Sequence, residues 1–292
     1  MTSSTRHHWY PSSPCGCGCL PAERETVPAL VVARRCARLA LALASAPVLL
    51  GARPCLPQSV KGERQRTFFR QLLGALGITV RVHDRRGGLE EGRAQGLIVS
   101  NHISWLDPLV ISTTVSASFV ARADLVEWPI VGSLARWART IPVRRESLRD
   151  LPRALDLVTE RLRRGERVAV FPEGTTWCGR SWGRLRPAFF QSALDAGAWV
   201  HPVHVRYLTQ DGEVTTVPSF VGDDGLAASI GRVLSQRSLV VELTLLAPEL
   251  AVGDRKLLAQ RCDRSLRSAE HSAEREAGLR LMAVGHTERT AA

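Results

Sequence analysis

Gly96-Leu97-Ile98-Val99-Ser100 is a short apolar run that gives way at once to Asn101-His102-Ile103-Ser104-Trp105-Leu106-Asp107-Pro108. The run reads as a buried strand, since it is β-branched and bounded by a glycine. Asp107-Pro108 reads as a helix start, because aspartate is a favoured N-cap and proline is tolerated at the first helical position. In a mostly parallel sheet, ligands bind at the rim made by the C-terminal ends of the strands, so His102 and Asp107 would sit on that rim. Five residues of helix would splay the two side chains apart by about 140°. They can meet only across the strand-to-helix turn. There a neutral imidazole can take a proton from a hydroxyl while the carboxylate holds its tautomer. The competing reading is that Asp107 merely caps its helix and His102 is an ordinary loop residue.

Two later strand ends bear on that choice. In Thr140-Ile141-Pro142-Val143-Arg144-Arg145-Glu146 a short apolar strand ends in two arginines, and Ser147 and Asp150 then make a capping-box-like start for a helix to about Arg164. A guanidinium at that end is suited to bidentate contact with a phosphate, although a solvated arginine pair is the plainer alternative. Arg167-Val168-Ala169-Val170-Phe171 then runs into Pro172-Glu173-Gly174-Thr175-Thr176. Here a glycine makes the turn tight and lets a ligand approach the backbone, and a glutamate can accept hydrogen bonds or orient an arginine. If the strands are parallel, exits bearing His/Asp, Arg and Glu-Gly open on one side of one sheet. That convergence is the main physical argument for an active site.

The chain has 292 residues, of which 45% are hydrophobic, enough for a sizeable core, and a formal net charge of +11. Lys61 and Lys256 are its only lysines, so the charge is carried by arginine. Such a balance favours a polyanionic partner, either an anionic membrane surface or nucleic acid. Zinc-finger spacing, an RNP-like aromatic segment and a basic zipper are all missing from the sequence, so nucleic acid is the weaker partner.

Residues 1–26 mix polar and small residues without an apolar period and read as a disordered leader. Within them Cys15, Cys17 and Cys19 alternate with glycines, which is not a usual zinc-ligand spacing, and no matching second half follows. The cluster reads as functionally silent, with metal binding or lipidation as alternatives. The odd cysteine count, with motifs of an intracellular kind, predicts no structural disulfides. Residues 27–58 read as a membrane-anchor helix and linker. The uninterrupted run from Leu39 to Leu50 is 12 residues, short of the roughly 20 that cross a bilayer core, so an interfacial or re-entrant anchor is favoured, with Arg34, Arg35 and Arg38 at the headgroups. The alternatives are an ordinary buried helix and a signal-peptide look-alike. Residues 59–250 form the main domain, and 251–292 a C-terminal helix and polar tail.

Around the central stretch, Phe68 to Leu76 recur at helical spacing with Gly77 as a C-cap. Ile78–His83 and Ser118–Ala121 read as strands, Asp84 to Gly92 as a turn and Val131–Arg139 as a helix. Further on, Val214–Phe220 and Leu239–Leu246 read as strands, Leu226–Leu234 as a helix and Arg255 to about Leu281 as a polar helix. His201 and His204 flank Pro202 on alternating strand faces and read as core or surface residues. The tryptophans Trp105, Trp128, Trp137, Trp177, Trp182 and Trp199 either line an acyl tunnel or membrane-facing surface or are simply packed.

Over about residues 64–250 the chain resembles the glycerolipid acyltransferases of the 1-acylglycerol-3-phosphate acyltransferase type. Asn101-His102-Ile103-Ser104-Trp105-Leu106-Asp107 matches that family's N-H-x-x-x-x-D block, and Phe171-Pro172-Glu173-Gly174-Thr175 matches its F-P-E-G-T block. Ile141 to Arg145 fits the block ending in arginine, with Arg145 the better match and Arg144 its competitor, since Pro142 and Arg144 depart from the pattern. Val200-His201-Pro202-Val203 suits the fourth block. Pro187 to about Ala196 looks like the helix that links the third and fourth blocks in bacterial members.

The resemblance implies an α/β fold with a single mixed, mostly parallel central sheet flanked by helices, and an N-terminal membrane-anchoring helical segment. It also implies acyl transfer from acyl-CoA or acyl-carrier protein, as substrate rather than cofactor, to the free hydroxyl of a lysophospholipid such as 1-acylglycerol-3-phosphate. Another lysolipid, such as a lyso-amino-lipid, is the alternative acceptor, and a catalytically silent basic membrane-binding protein is the alternative class. His102 would be the general base and Asp107 its orienting partner. Asn101, Arg144 or Arg145, Glu173, Gly174 and Thr175 would bind substrate, Pro202 would shape the acyl side, and no metal would be needed. No enzyme nucleophile is required, because a thioester is already activated, and no G-x-S-x-G elbow occurs in the sequence. The expected location is the cytoplasmic face of the cell membrane, peripheral or monotopic, with membrane lipids as partners.

Overall fold

The computed structural model describes residues 10–51, 58–88, 95–124, 132, 139–144 and 147–290. Seven strands form one mixed sheet in the order β1-β7-β6-β2-β5-β3-β4. They are β1 (Ile78–Asp84), β2 (Leu97–Ser100), β3 (Ser118–Arg122), β4 (Ile141–Val143), β5 (Val168–Val170), β6 (Val200–Leu208) and β7 (Leu239–Leu245). All neighbours pair in parallel except β6 and β7, which are antiparallel. The strand exits of β2, β3, β4, β5 and β6 therefore share one rim.

The central strands are buried on both faces, which is why they read as continuous apolar runs rather than alternating ones. Residues along β2, β5 and β6 nonetheless divide by parity. Ile98, Ala169, Val203, Val205 and Tyr207 face one core, which α1 (Ala29–Gly51), α2 (Gln58–Leu76), α3 (Asp107–Ser112) and α6 (Leu226–Ser235) cover with Leu39, Leu73, Ile111 and Val233 among others. Leu97, Val99, Val168, Val170 and Val200 face the other, covered by α4 (Leu151–Arg163), α5 (Ala188–Ala196) and α7 (Arg255–Thr290) through Val158, Phe190, Leu258 and Leu266. The expected α/β fold, a single mixed, mostly parallel central sheet flanked by helices, is the observed one.

Several local expectations change. Val214–Phe220 is not a strand: only Val214 bridges to Leu208, and the rest is a buried loop. Pro218 brings no N–H to a ladder, and side chains take up the loop's carbonyls instead, with Ser104 Oγ donating to Pro218 and Arg232 to Val217 and Ser219. Before α4, Leu148–Asp150 is a 3-10 turn rather than a capping box. Asp107 is the first residue of α3 rather than its N-cap, which is Leu106. The predicted helix Val131–Arg139 falls almost wholly outside the described residues.

The N-terminal part differs most. Residues 10–26 are largely exposed but tied to the rest of the chain at separate points: Cys15 is buried, Thr26 bridges Gln236, and Arg237 N donates to the Glu25 carbonyl. No helix among the described residues is long and apolar enough to cross a membrane. Helix α1 packs through Leu39, Ala42, Leu43 and Ala46 onto Phe68, Phe69 and Leu72 of α2. Arg35 is buried and donates to the carbonyls of Leu234, Gln236 and Arg237 at 2.7, 2.6 and 3.2 Å, so it caps the C-terminal end of α6 instead of reaching for headgroups.

Candidate active site

β2 delivers Asn101 and His102 to the shared rim, and Ile103 to Leu106 turn the chain into α3. This turn is folded around one carboxylate. Asp107 is fully buried, and its Oδ2 accepts from His102 Nδ1 at 2.8 Å, Ile103 N at 2.7 Å and Ser104 N at 2.9 Å. Its Oδ1 accepts from Tyr207 Oη at 2.7 Å, across on β6. A buried carboxylate persists when its oxygens are supplied with donors, and here four converge. Burial and the Asp107 charge push the Tyr207 phenol well above its usual range, so Tyr207 stays a donor.

With Asp107 accepting, the proton of a neutral His102 resides on Nδ1 and Nε2 carries the lone pair. The imidazole stacks on Phe171 with ring centroids 4.1 Å apart. The backbone is fixed as well: Trp177 N donates to the His102 carbonyl at 2.8 Å, and Phe220 N to that of Ile103 at 3.0 Å. Asn101 lines the cavity, but both ends of its amide are held by Val205 of β6, each at 2.9 Å. It acts as a clamp between the exits of β2 and β6.

The turn after β5 brings Glu173 beside this pair. Glu173 is 4% exposed, and its two oxygens accept from His102 N at 2.8 Å and Gly183 N at 3.0 Å. Burial raises its carboxyl to about 7 against those two donors. Glu173 thus fastens the backbone of His102 rather than offering a free oxygen to a headgroup. Gly174 has φ +78, and what approaches it is Pro11, whose side chain would lie 2.9 Å from an added Cβ. Gly174 and the half-buried Thr175 shape the turn without lining the cavity.

The cavity at the rim holds about 20 Å³ and is walled by Asn101, His102, Glu173, Trp177, Trp182 and, from more distant elements, His204, Arg267 and Glu270. His204 Nε2 lies 2.7 Å from Glu270 Oε2, and Arg206 Nε 3.5 Å from the other oxygen. Burial opposes the charge on Glu270, but His204 and Arg206 outweigh it and hold the carboxyl below its usual range. Arg267 donates to Asp263 and the Gly183 carbonyl and lies 4.8 Å from the Trp182 ring centroid. None of His204, Arg267 or Glu270 follows from local pattern: β6 is buried along its whole length, and α7 reads as a polar helix. The parity rule did place His201 and His204 on opposite faces, and that was the available signal.

Two predicted contributors lie elsewhere. Arg144 shares the rim but leaves β4 at the sheet edge, three strand spacings from β2, or about 14 Å; it is exposed and 3.8 Å from Asp150. Arg145 lies outside the described residues. Pro202 pairs with Val99, three residues before His102, and lines a cavity of about 100 Å³ with Arg66, Arg86, Arg167 and His201 at the opposite rim. Of the tryptophans, Trp177 and Trp182 wall the site and Trp105 is packed, its Nε1 donating to Ser229 Oγ at 3.1 Å; Trp128 and Trp137 lie outside the described residues.

The arrangement can hold a neutral histidine with a free basic nitrogen beside a small polar cavity, which is the equipment for deprotonating a hydroxyl. Comparison with known proteins places the chain among relatives. The Acyltransferase family model matches residues 79–206. The 1-acyl-sn-glycerol-3-phosphate acyltransferase of Neisseria gonorrhoeae is 35% identical over 189 residues, covering 62% of this chain and 74% of that one. The lyso-ornithine lipid O-acyltransferase of Pseudomonas aeruginosa is 35% identical over 205 residues, covering 70% and 77%. In fold, the crystal structure of the 1-acyl-sn-glycerophosphate (LPA) acyltransferase of Thermotoga maritima superposes with a TM-score of 0.60 at 19% identity, covering 82% of this chain and 95% of that one. With these relatives the chain is an acyltransferase, a member of the family that includes the bacterial lysophosphatidate and lyso-ornithine lipid enzymes.

Proposed function

We propose that the protein acylates the free hydroxyl of a lysolipid, most simply 1-acylglycerol-3-phosphate to give phosphatidate, using acyl-CoA or acyl-carrier protein as donor. The observation that carries this reading is the 2.8 Å contact between His102 Nδ1 and Asp107 Oδ2, which leaves Nε2 as the base. Nε2 takes the acceptor's hydroxyl proton, and the alkoxide oxygen adds to the thioester carbonyl. Collapse of the tetrahedral intermediate breaks the C–S bond, and the imidazolium returns its proton to the leaving thiolate. Asp107 offsets the imidazolium charge while Tyr207 and the Ile103 and Ser104 amides keep Asp107 in place. Arg267 is the cation on the described cavity wall suited to an anionic headgroup, and Arg145 is a second candidate.

The cavity as it stands has room for about one water. Trp182, 37% exposed, and Arg267 form its outer wall, and they move apart to admit a lipid. A peripheral or monotopic position on the cytoplasmic face of the membrane fits the exposed stripe of α1. Leu30 is 81% and Leu41 70% exposed; with Ala37 and Ala44 they lie within one face at helical spacing, flanked by Arg34 and Arg38.

The test offers the purified protein lysophosphatidate, lyso-ornithine lipid and other lysophospholipids with each donor, and identifies products by mass spectrometry. Phosphatidate as the fastest product supports the reading. Preference for the lyso-ornithine lipid reassigns the acceptor, and no diacyl product from any pair overturns the reading.

A further inference from the structure

Cys15, Cys19 and Cys178 bring their sulfurs within 4.8 Å of one another, although Cys178 lies 163 positions after Cys15 in the chain. Cys15 and Cys178 are buried and Cys19 is half-buried. We propose that these three thiols form a thiolate site for a zinc-class metal ion, which clamps the N-terminal segment onto the loop beside the active site.

Tetrahedral zinc binds thiolate sulfur at about 2.3 Å, which sets ligand sulfurs about 3.8 Å apart. The three side chains need draw in by no more than about 1 Å to reach that geometry. Gly16, Cys17, Gly18 and Cys19 wind into a single 3-10 turn, and this brings Cys15 and Cys19 to one side while Cys17 is exposed. Val221, Trp177 and Leu20 pack around the cluster. The fourth position is left to solvent or to Cys17. The expected zinc spacing was missing from the sequence because the second half of the site is one cysteine on another loop, not a second pair.

The placement gives the ion a purpose. The clamped segment lays Pro11 on Gly174 and Gly16 on Gly222, where an added Cβ would lie 3.1 Å from the Gly16 Cα. The loop it holds carries Glu173 and Trp177, both bonded to the backbone of His102. Thiols bind as thiolates, so one proton per ligating cysteine is released on loading.

The test uses the full chain, purified under reductant without chelator. Metal analysis is expected to find about one zinc per chain in the wild type and in Cys36→Ser, and less than a tenth of that in Cys178→Ser and Cys15→Ser. Cobalt(II) chloride added to chelator-stripped wild type is expected to give thiolate-to-metal charge-transfer and tetrahedral ligand-field bands that saturate near one equivalent. Wild-type protein that shows no such bands overturns the proposal whatever the variants do. So does a Cys178→Ser variant that binds cobalt with the same spectrum, and so does a Cys15–Cys178 or Cys19–Cys178 disulfide found by mass analysis of protein kept reduced.

Discussion

Tyr207 Oη donates to Asp107 Oδ1 at 2.7 Å, so the carboxylate that holds His102 on one oxygen is itself held from β6 on the other. The histidine's orientation is thereby set from β6 as well as by its own turn. Tyr207→Phe is expected to cost about 2 kcal/mol of stability, the scale for losing a hydrogen bond to a buried charge. It is also expected to lower kcat about tenfold with little change in KM. Thermal unfolding and steady-state acyl transfer check this, and an unchanged kcat would mean the turn alone orients His102.

Glu173 carries a folded-state carboxyl raised to about 7 against an ordinary value of 4.5. A raised acid favours the fold while it is neutral: its contribution is fully present below 4.5 and is lost as pH rises through about 7. Wild-type stability should therefore fall across that window by up to about 3 kcal/mol relative to Glu173→Gln, which is less stable at low pH because its amide nitrogen faces one backbone donor. Urea unfolding at several pH values reads the difference. Parallel curves for the two proteins would contradict it.

Arg35 and Arg34 are adjacent and should behave oppositely. Arg35→Met leaves three carbonyls at the end of α6 without their cation and is expected to cost about 3 kcal/mol. Arg34→Met, on the exposed side of α1, should leave the unfolding temperature unchanged and weaken binding to anionic vesicles about fivefold, near 1 kcal/mol per surface arginine. Vesicle sedimentation and thermal unfolding separate the two. Equal stability loss in both variants would remove the distinction.

Arg267→Ala takes the cation from the cavity wall and from the Trp182 face. The expected result is a KM for the anionic acceptor raised about tenfold, on the scale of one charged hydrogen bond, with kcat less affected. Unaltered KM would move headgroup binding to another arginine.

The sheet was legible because its central strands are buried on both faces and so read as unbroken apolar runs ended by glycine or proline, as at Gly96 to Ser100 and Val168 to Pro172. His102 and Asp107 were legible because both lie in one turn, where spacing alone decides whether they can meet. Glu173 was legible as a site residue, but its job was not: its partners, the amides of His102 and Gly183, are backbone groups that any sequence has. Tyr207, Glu270 and Arg267 went unread, and His204 was read only as a core or surface residue, since Tyr207 and His204 lie in a strand buried at every position and the others on a helix whose polar residues outnumber its apolar ones. The contacts of the N-terminal segment were hidden for a similar reason. It is held by Cys15, Pro11 and Gly16 meeting distant residues, and such contacts leave no period behind.

The most direct test of the account is His102→Ala in the purified protein, assayed for acyl transfer from acyl-CoA to lysophosphatidate, with circular dichroism to confirm the fold. A base that takes the hydroxyl proton is worth 10² to 10⁴-fold, so turnover should fall by about 10³-fold with the fold intact. Equal turnover by wild type and variant would contradict it.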